Sequence, residues 1–444
     1  MTVYSRRIMG VETEYGITGK LSPDDTARYL FRPLVERYSS TNIFTRNASR
    51  LYLDVGAHPE VATGECDTLG QLVRHERAGD HMLNELAIKA EQALSDDNIG
   101  GNVYLFKNNV DSVGNSYGCH ENYLIGRDMV LKALGKQLLP FMITRQLIAG
   151  AGLLRDGEFL LSQRADQVWE GISSATTRAR PIINTRDEPH GDSTRFRRMH
   201  VIVGDSNMSE TTFVLKIGAT QLALEMLEAG YDLPDFELDN AIAHIRDISR
   251  DQTGSTELKL KSGGVVTALE VQRAFCSHAR TWLDEREPDP DMDYVVDLWE
   301  RTLDAIETQD FSQVDTEIDW VIKKKLLERY AGRADDAKLA QIDLAYHDIR
   351  EDRGLFHVLC KRGLARRLTT DEEIAQAVKT APETTRAHLR GRVLNAADKY
   401  GAEVTVDWVN IKYGQERIEL QDPFATVDER VDELITRLEA DRGE

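Results

Sequence analysis

The pattern of apolar and polar positions divides the chain into two unequal parts. Over the first two-fifths, short runs that alternate with a period of two are separated by stretches of helical spacing. Residues 7–18 and 49–55 alternate as strands half-buried on one face do. Residues 69–94 carry Leu69, Leu72, Val73, Met82, Leu83 and Leu86 at helical spacing. Residues 102–106, 117–125 and 199–203 read as further strands. Residues 138–148 read as a helix with Pro140 in its first turn, where proline is tolerated. A helix over 213–229 ends at Gly230, where a glycine just past the helix is expected. From about residue 235 the spacing turns mostly helical, over 239–249, 268–285, 292–308 and 318–330. Thr370 followed three positions later by Glu373 is a capping signature for a fresh helix. The remainder holds the strand-like EVTVDWVNIKY and a last helix from Asp428. Strands followed by helices, rather than regular βαβ units, predict an α+β fold with a mainly antiparallel sheet and packed helices. The division expected is a large unit over 1–370 and a small C-terminal unit over 371–444.

Composition narrows the function classes. With 55 basic and 75 acidic side chains the net charge is −20, which argues against a general nucleic-acid binder, since phosphate neutralisation needs a basic surface. Four widely spaced cysteines, Cys66, Cys119, Cys276 and Cys360, form no C-x-x-C pair and fit free thiols in a reducing compartment. The first ten residues lack an apolar core, so no signal peptide is expected. The apolar stretch 138–154 contains Pro140, Arg145 and Gln146 and is too short and polar to span a membrane. A cytoplasmic protein without membrane or nucleic-acid partners is the expectation.

Candidate chemistry lies on the polar faces of the early strands. Glu12 and Glu14, in MGVETEYG, are two apart and point to one face. In SRLYLDVGAHPE, Arg50, Tyr52 and Asp54 share a face, with Leu51, Leu53 and Val55 on the core side. Glu60 follows a Gly-Ala-His-Pro turn that returns the chain antiparallel beside Asp54. A face that gathers Glu12, Glu14, Asp54, Glu60 and Glu65 around one arginine needs cations, because neighbouring carboxylates repel and raise one another's pKa. Magnesium prefers such hard oxygen ligands and sits between carboxylates and phosphates. The same alternation also describes the solvated face of an ordinary half-buried sheet.

A second polar group comprises Lys107, Asn108, Asn109, His120, Asn122, Arg178, Arg180, Arg186, Asp187, His190, Arg195, Arg197, Arg198 and His200. Guanidinium forks between apolar strands suit phosphate or carboxylate oxygens. His120 and His200 taken singly read as hydrogen-bonded structural histidines, and Lys323 to Lys325 as a solvated helix face. No G-x-x-x-x-G-K-[ST] loop, G-x-G-x-x-G after a strand, G-x-S-x-G or H-E-x-x-H occurs, which removes the P-loop, Rossmann, α/β-hydrolase and zincin readings.

The strings MGVETEYG, RLYLDVGAHPE, KNNVDSVGNSYGCHENYL, QRADQVWEGISSATTRARPIINTRDEPH, HVIVGDSNMSE and DTEIDWVIKKKL, with TTRAHLRGR and VTVDW near the end, resemble the Pup–protein ligase family over essentially the whole chain. The resemblance implies a glutamine synthetase-like large domain plus a small C-terminal domain. It implies an ATP-dependent ligase that joins the C-terminal glutamate of Pup, a disordered, acidic ubiquitin-like protein, to lysines of target proteins. The glutamate is activated as a γ-glutamyl phosphate, and the product is marked for proteasomal degradation. By resemblance, Glu12, Tyr52 and Glu60 fall to magnesium, with Glu14 a further ligand. Arg50, Thr63 and Trp408 fall to ATP, Arg197 and Arg186 to phosphate contacts, and Asp54 to the base that receives the lysine proton. The pattern alone makes Trp408 a core position. The related depupylase/deamidase Dop is the alternative; it carries a long insertion that residues 16–50 are too few to hold, and LDVGAHPE is the ligase form. A Pup-binding pseudoenzyme would have lost the carboxylates, and a small-molecule γ-glutamyl ligase would share them. The net charge of −20 implies that an acidic partner docks on a local basic groove.

Overall fold

The computed structural model describes residues 2–111, 113–174 and 180–440. An eight-stranded sheet forms the frame. In spatial order its strands are Glu170–Ser173, Pro181–Asn184, Phe196–Val201, Cys119–Gly126, Met9–Glu14, His58–Ala62, Arg50–Asp54 and Asn42–Phe44. Every neighbouring pair is antiparallel except the first, Glu170–Ser173 with Pro181–Asn184. The α+β expectation with a mainly antiparallel sheet holds.

Strict alternation gives this sheet two unlike faces. Met9, Val11, Cys119, Tyr123, Ile125, Met199 and Val201 enter the main apolar cluster. There they meet the helix Glu210–Ala229, which is buried almost all round and lies among the helices Leu69–Asp96, Ala268–Asp284 and Pro290–Thr308. On the other half of the sheet, Leu51 and Val61 pack with the helix Pro23–Tyr38 and with Leu83, Leu86, Ala87 and Ala90. That Pro23–Tyr38 helix was not announced by the apolar pattern; Ser22 caps it and Pro23 opens it. The capping box at Thr370 and Glu373 and the left-handed Gly230 both form as expected.

Several details differ from the pattern. The helix holding Pro140 starts at Leu131, so the proline is interior; a break at Arg145 then separates Leu131–Thr144 from the short Gln146–Ala149. Val55 is 89% exposed at the hairpin tip rather than on the core side, because the turn ends the alternation. Lys323 is fully buried, donating to the Gly152 carbonyl at 2.6 Å and pairing with Asp343 at 3.0 Å; only its neighbours behave as a solvated face. A lysine at helical spacing can point inward when a carboxylate waits there.

The helix Asp371–Lys379 lies on Leu69–Asp96. Asn47 donates to the Ala377 carbonyl at 2.7 Å, and the His75 ring reaches the Thr380 carbonyl at 3.0 Å. A separate apolar cluster runs from Leu389 to Leu438, built from the helices Ala387–Tyr400 and Glu429–Ala440 around the small sheet of Thr405–Val406, Asn410–Tyr413 and Glu416–Glu419. Among the described residues no helix is long and apolar enough to cross a membrane. All four cysteines are free.

Candidate active site

Register decides what the polar face of the sheet carries. Glu14 stands directly across from Glu60, and Tyr52 stands across from Glu60 on the far side. Asp54 pairs with His58 at the end of the same hairpin. Glu12 is opposite Ala62 on one side and His120 on the other, with His200 opposite Asn122 one strand further. The carboxylates therefore divide into two adjoining clusters. Ligand atoms of Glu14, Asp54 and Glu60 lie within 4.8 Å of one another, and so do those of Glu12, His120 and His200.

The two clusters differ electrostatically. Burial pushes the Glu60 carboxyl up to about 9, and the Glu12 and Glu14 carboxylates add to the shift, against a lowering hydrogen bond from the Tyr52 hydroxyl. Burial would raise Glu12 too, but the hydrogen bond from His120 and the nearby Arg198 guanidinium outweigh it and hold Glu12 well below the ordinary carboxylate range. His120 Nδ1 is 3.3 Å from Glu12 Oε2, and the Asn122 amide donates to Oε1 at 3.0 Å. Burial, followed by the Glu60 and Glu12 carboxylates, pushes the Tyr52 phenol far up, so it stays a neutral donor.

These donors fit a hard divalent cation. Three carboxylates converge on one point, one of them holding a proton it gives up only against added positive charge. At the second cluster, His200 Nε2 is buried without a hydrogen-bond partner, 3.8 Å from Glu12 Oε2. Burial lowers the His200 pKa to about 3, so the ring is neutral and able to ligate. Gly118 permits the arrangement: a Cβ there would lie 2.3 Å from His120 Nε2 and 3.0 Å from Glu14 Oε1. Gly118→Ala is expected to displace both side chains and lower divalent-ion affinity about 10–100-fold; unchanged affinity by calorimetric titration would remove Gly118 from the design.

A cavity opens beside these clusters, along the start of the central strand. Its floor is Met9 to Glu12 with Ala62 and Thr63, and Leu124, Pro189, His190 and Trp408 enclose it. Thr63 is fixed by two bonds to Val11: its Oγ1 accepts from Val11 N at 3.1 Å, and its own N–H donates to Val11 O at 3.0 Å. Trp408 is half-buried in the turn of the small sheet, edge-on to Phe44 at 5.0 Å between ring centres, instead of sitting in a strand core. Arg50 is held by the Asn42 side chain at 2.9 Å and lies 4.2 Å over the Tyr52 ring.

The expected arginine contacts separate. Arg197 borders the cavity and lies 3.6 Å from Asp187, but strand alternation gives the carboxylate face to Arg198. Arg198 donates to Asn122 Oδ1 at 2.9 Å and reaches to 3.6 Å from Glu12. Arg186 is not among the residues around the cavity; it is exposed and pairs with Glu188 at 2.8 Å. Arg195 is exposed beside Asp422 at 3.2 Å, Arg180 donates to Gln167, and Arg178 lies outside the described residues. Lys107 and Asn109 belong to the interior: Lys107 is fully buried against Glu76 and Asp80, and Asn109 bonds Ser206 and Tyr117. His120 and His200, read singly as structural, come together at Glu12; Arg198, His190 and Glu65, grouped among the polar candidates without a role, border the cavity, and Arg386 joins them unannounced. Two-residue spacing in HEN and RMH was the available signal, but without register it does not say which strand lies next to Glu12.

Comparison with known proteins agrees over the whole chain. A family model described as Pup-ligase protein matches residues 7–412. The chain is 61% identical over 465 aligned residues to the Pup–protein ligase of Corynebacterium efficiens, covering 98% of this chain and 95% of that protein. Identity to the Pup–protein ligase of Mycolicibacterium vanbaalenii is 56% over 450 residues, covering 98% and 100%. The fold is similar to a crystal structure of Pup in complex with its ligase PafA, with a TM-score of 0.95, 56% identity and coverage of 99% and 92%. It is also similar to the Pup ligase PafA in complex with ADP, with a TM-score of 0.87, 58% identity and coverage of 99% and 98%.

Proposed function

Because the chain belongs to the Pup–protein ligase family, we propose that the cavity under Trp408 takes ATP and that the adjoining carboxylate face joins the C-terminal glutamate of Pup to a lysine of a target protein. The observation that carries the mechanism is the residue the two share: the cavity is floored by Met9 to Glu12, and Glu12 lies on the same strand face as Glu14, one same-face pair along the ladder from Glu14 and Glu60. Identity to proteins named as ligases favours this reading over the depupylase/deamidase Dop.

In this reading Trp408, Leu124 and Pro189 supply an apolar slot for the base, and Thr63 orients the floor. Arg50 and Arg198 would face the phosphates from the carboxylate side and Arg197 would approach them from the border of the cavity, while Arg186, paired and exposed, would need to move to reach them. Glu12, Glu14 and Glu60 would hold magnesium, with Tyr52 as a neutral donor beside Glu60, and His120 and His200 completing the Glu12 cluster. When bound, the ion supplies charge neutralisation for phosphate oxygens. Asp54, at the hairpin end, would take the proton of the incoming ammonium. Contacts of the helix Asp371–Lys379 and its end to Asn47 and His75 support grouping it with the catalytic unit, and they favour a division in the segment before Ala387 over the one expected at 370 and 371. A cytoplasmic setting accords with four free thiols.

Incubation with ATP, a lysine-bearing target protein and either Pup or free glutamate tests the reading. Phosphate release and a lysine conjugate with Pup are expected, and release with free glutamate alone would replace Pup by a small-molecule substrate.

The titration of Glu60 gives a second check. At neutral pH the ion-free carboxyl keeps its proton, and it must give that proton up to hold the ion. Apparent magnesium affinity is expected to rise about tenfold per pH unit as the pH climbs toward about 9. The sign for folding is opposite in the ion-free protein. A carboxyl that binds its proton more tightly when folded contributes stability below the ordinary glutamate range, and that contribution is lost as the pH rises toward about 9. Titration calorimetry at three pH values reads the slope; a pH-independent affinity would take Glu60 out of the ion site.

A further inference from the structure

The strand that carries Glu60 does not stop at Thr63. It continues as an extended segment to Cys66, whose backbone exchanges two hydrogen bonds with Met9, at 2.7 and 2.9 Å. On this extension the Glu65 carboxylate is buried, 8% exposed. Its oxygens are taken by two guanidiniums from the small C-terminal unit. Arg386 Nε donates to Oε1 at 2.7 Å, Arg390 Nη1 to Oε1 at 3.0 Å, and Arg390 Nη2 to Oε2. Both arginines are themselves almost fully buried. Four residues apart at the start of the Ala387–Tyr400 helix, they share a helix face, where two like charges repel unless a carboxylate lies between them. Burial would raise Glu65, but Arg390 and Arg386 bring it down to about 2.

The second end of this joint is Trp408. Arg390 Nη1 also donates to the Trp408 carbonyl at 2.9 Å. Its guanidinium carbon lies 5.5 Å from the centre of the Trp408 ring and 5.7 Å from that of Phe44. Phe44 is on the edge strand of the large sheet and meets Trp408 edge-on. Arg386 in turn donates to the carbonyl of His190 and, at 2.8 Å, to that of Leu420. His190 and Trp408 both enclose the cavity. Close approach is built in as well, since a Cβ at Gly64 would lie 3.3 Å from both the Ala387 Cβ and the Ala48 carbonyl oxygen.

We propose that Glu65 is a positioning residue for the nucleotide: through Arg390 and Arg386 it fixes Trp408 and His190 against the cavity, so the strand that carries Glu60 also sets where the base is held. The inference rests on the reading that Trp408 faces ATP. No oxygen of Glu65 need touch the nucleotide, because both already accept from the arginines. The effect belongs in nucleotide affinity rather than in the chemical step.

A mutant cycle in Pup conjugation tests this. Glu65→Gln is expected to raise the KM for ATP about tenfold, with kcat at saturating ATP within about threefold of wild type and the KM for Pup unchanged. Trp408→Ala should raise the KM for ATP as well, and the double variant should be no worse than Trp408→Ala alone. Asp67→Asn controls for general loosening of the same junction, since Asp67 joins Arg6 and Thr384 without touching Trp408; its KM for ATP should stay near wild type. Should Glu65→Gln fail to fold, Arg390→Lys keeps a charge opposite Glu65 but loses the fork that also reaches the Trp408 carbonyl, and it should raise the KM for ATP in the same way. Additive effects in the double variant, an equal rise in Asp67→Asn, or a wild-type KM in Arg390→Lys would each overturn the positioning role. A wild-type KM in Trp408→Ala would instead overturn the nucleotide reading on which it rests.

Discussion

Glu60→Gln is expected to cut ATP-dependent conjugation by at least about 100-fold, the upper end of the loss seen when even an outer partner of an ion site is removed, while leaving the ion-free protein at least as heat-stable as the wild type. The two parts of the result have one cause. Glu60 is buried among the Glu12, Glu14 and Asp54 carboxylates, and its carboxyl is already pushed up to about 9. An amide of the same shape removes that electrostatic conflict from the resting fold but takes away one of three converging oxygen donors. Glu12→Gln should lose activity to a similar extent with the opposite effect on stability. Glu12 balances Arg198 and accepts from His120 and Asn122 through separate oxygens, so the amide leaves positive charge unbalanced and sets a donor against one of those two donors. Thermal melts without added ion, paired with conjugation assays over a magnesium series, separate the two variants. Near wild-type turnover in either would remove that residue from the ion site, and equal melting shifts of the same sign would refute the division into two clusters.

Asp54→Asn is the second large effect. An unperturbed lysine ammonium has a pKa of about 10.4, so at neutral pH the nucleophile must lose a proton on its way to the acyl phosphate. Asp54 ends the strand that also presents Arg50 and Tyr52, and its carboxylate lies within 4.8 Å of those of Glu14 and Glu60. Past it the chain turns through Gly56, at φ +85, with Val55 fully outside. The position is open to an arriving lysine yet in touch with the cluster. Loss of a general base costs about 10²–10⁴-fold in rate. The variant is therefore expected to form conjugate at least about 100-fold more slowly while its Kd for ATP and for Pup stays within about threefold. Conjugate at a near wild-type rate would exclude the base role. Lost ATP binding would instead make Asp54 a supporting residue of the ion cluster, a role its neighbours Glu14 and Glu60 also permit.

What the chain determines by itself is local. Two-residue alternation placed Glu12 with Glu14 and Arg50 with Tyr52 and Asp54, because a strand has no other way to present its side chains. The Gly-Ala-His-Pro turn returned Glu60 beside that hairpin, and the cap at Thr370 and the glycine at 230 marked helix ends through backbone chemistry that needs no partner. The family resemblance rested on the same strings. Tertiary structure alone decided the rest. Which strand stands next to Glu12 depends on long-range register, and one residue of slip exchanges Arg197 for Arg198 on the active face. His120 and His200 are far apart in the sequence and meet only because the strands holding them pair side by side. Lys107 reads as one of the polar site candidates and Lys323 as part of a solvated face, until the fold brings buried carboxylates to both. Trp408 has the pattern of a core residue, yet it borders the cavity in a turn tied to Arg390, which in turn pairs with Glu65, 325 residues before that arginine in the chain. Pattern records what each residue prefers as neighbour; the pairing of distant segments, which depends on closing long loops against the gain of burial, decides which neighbour it receives.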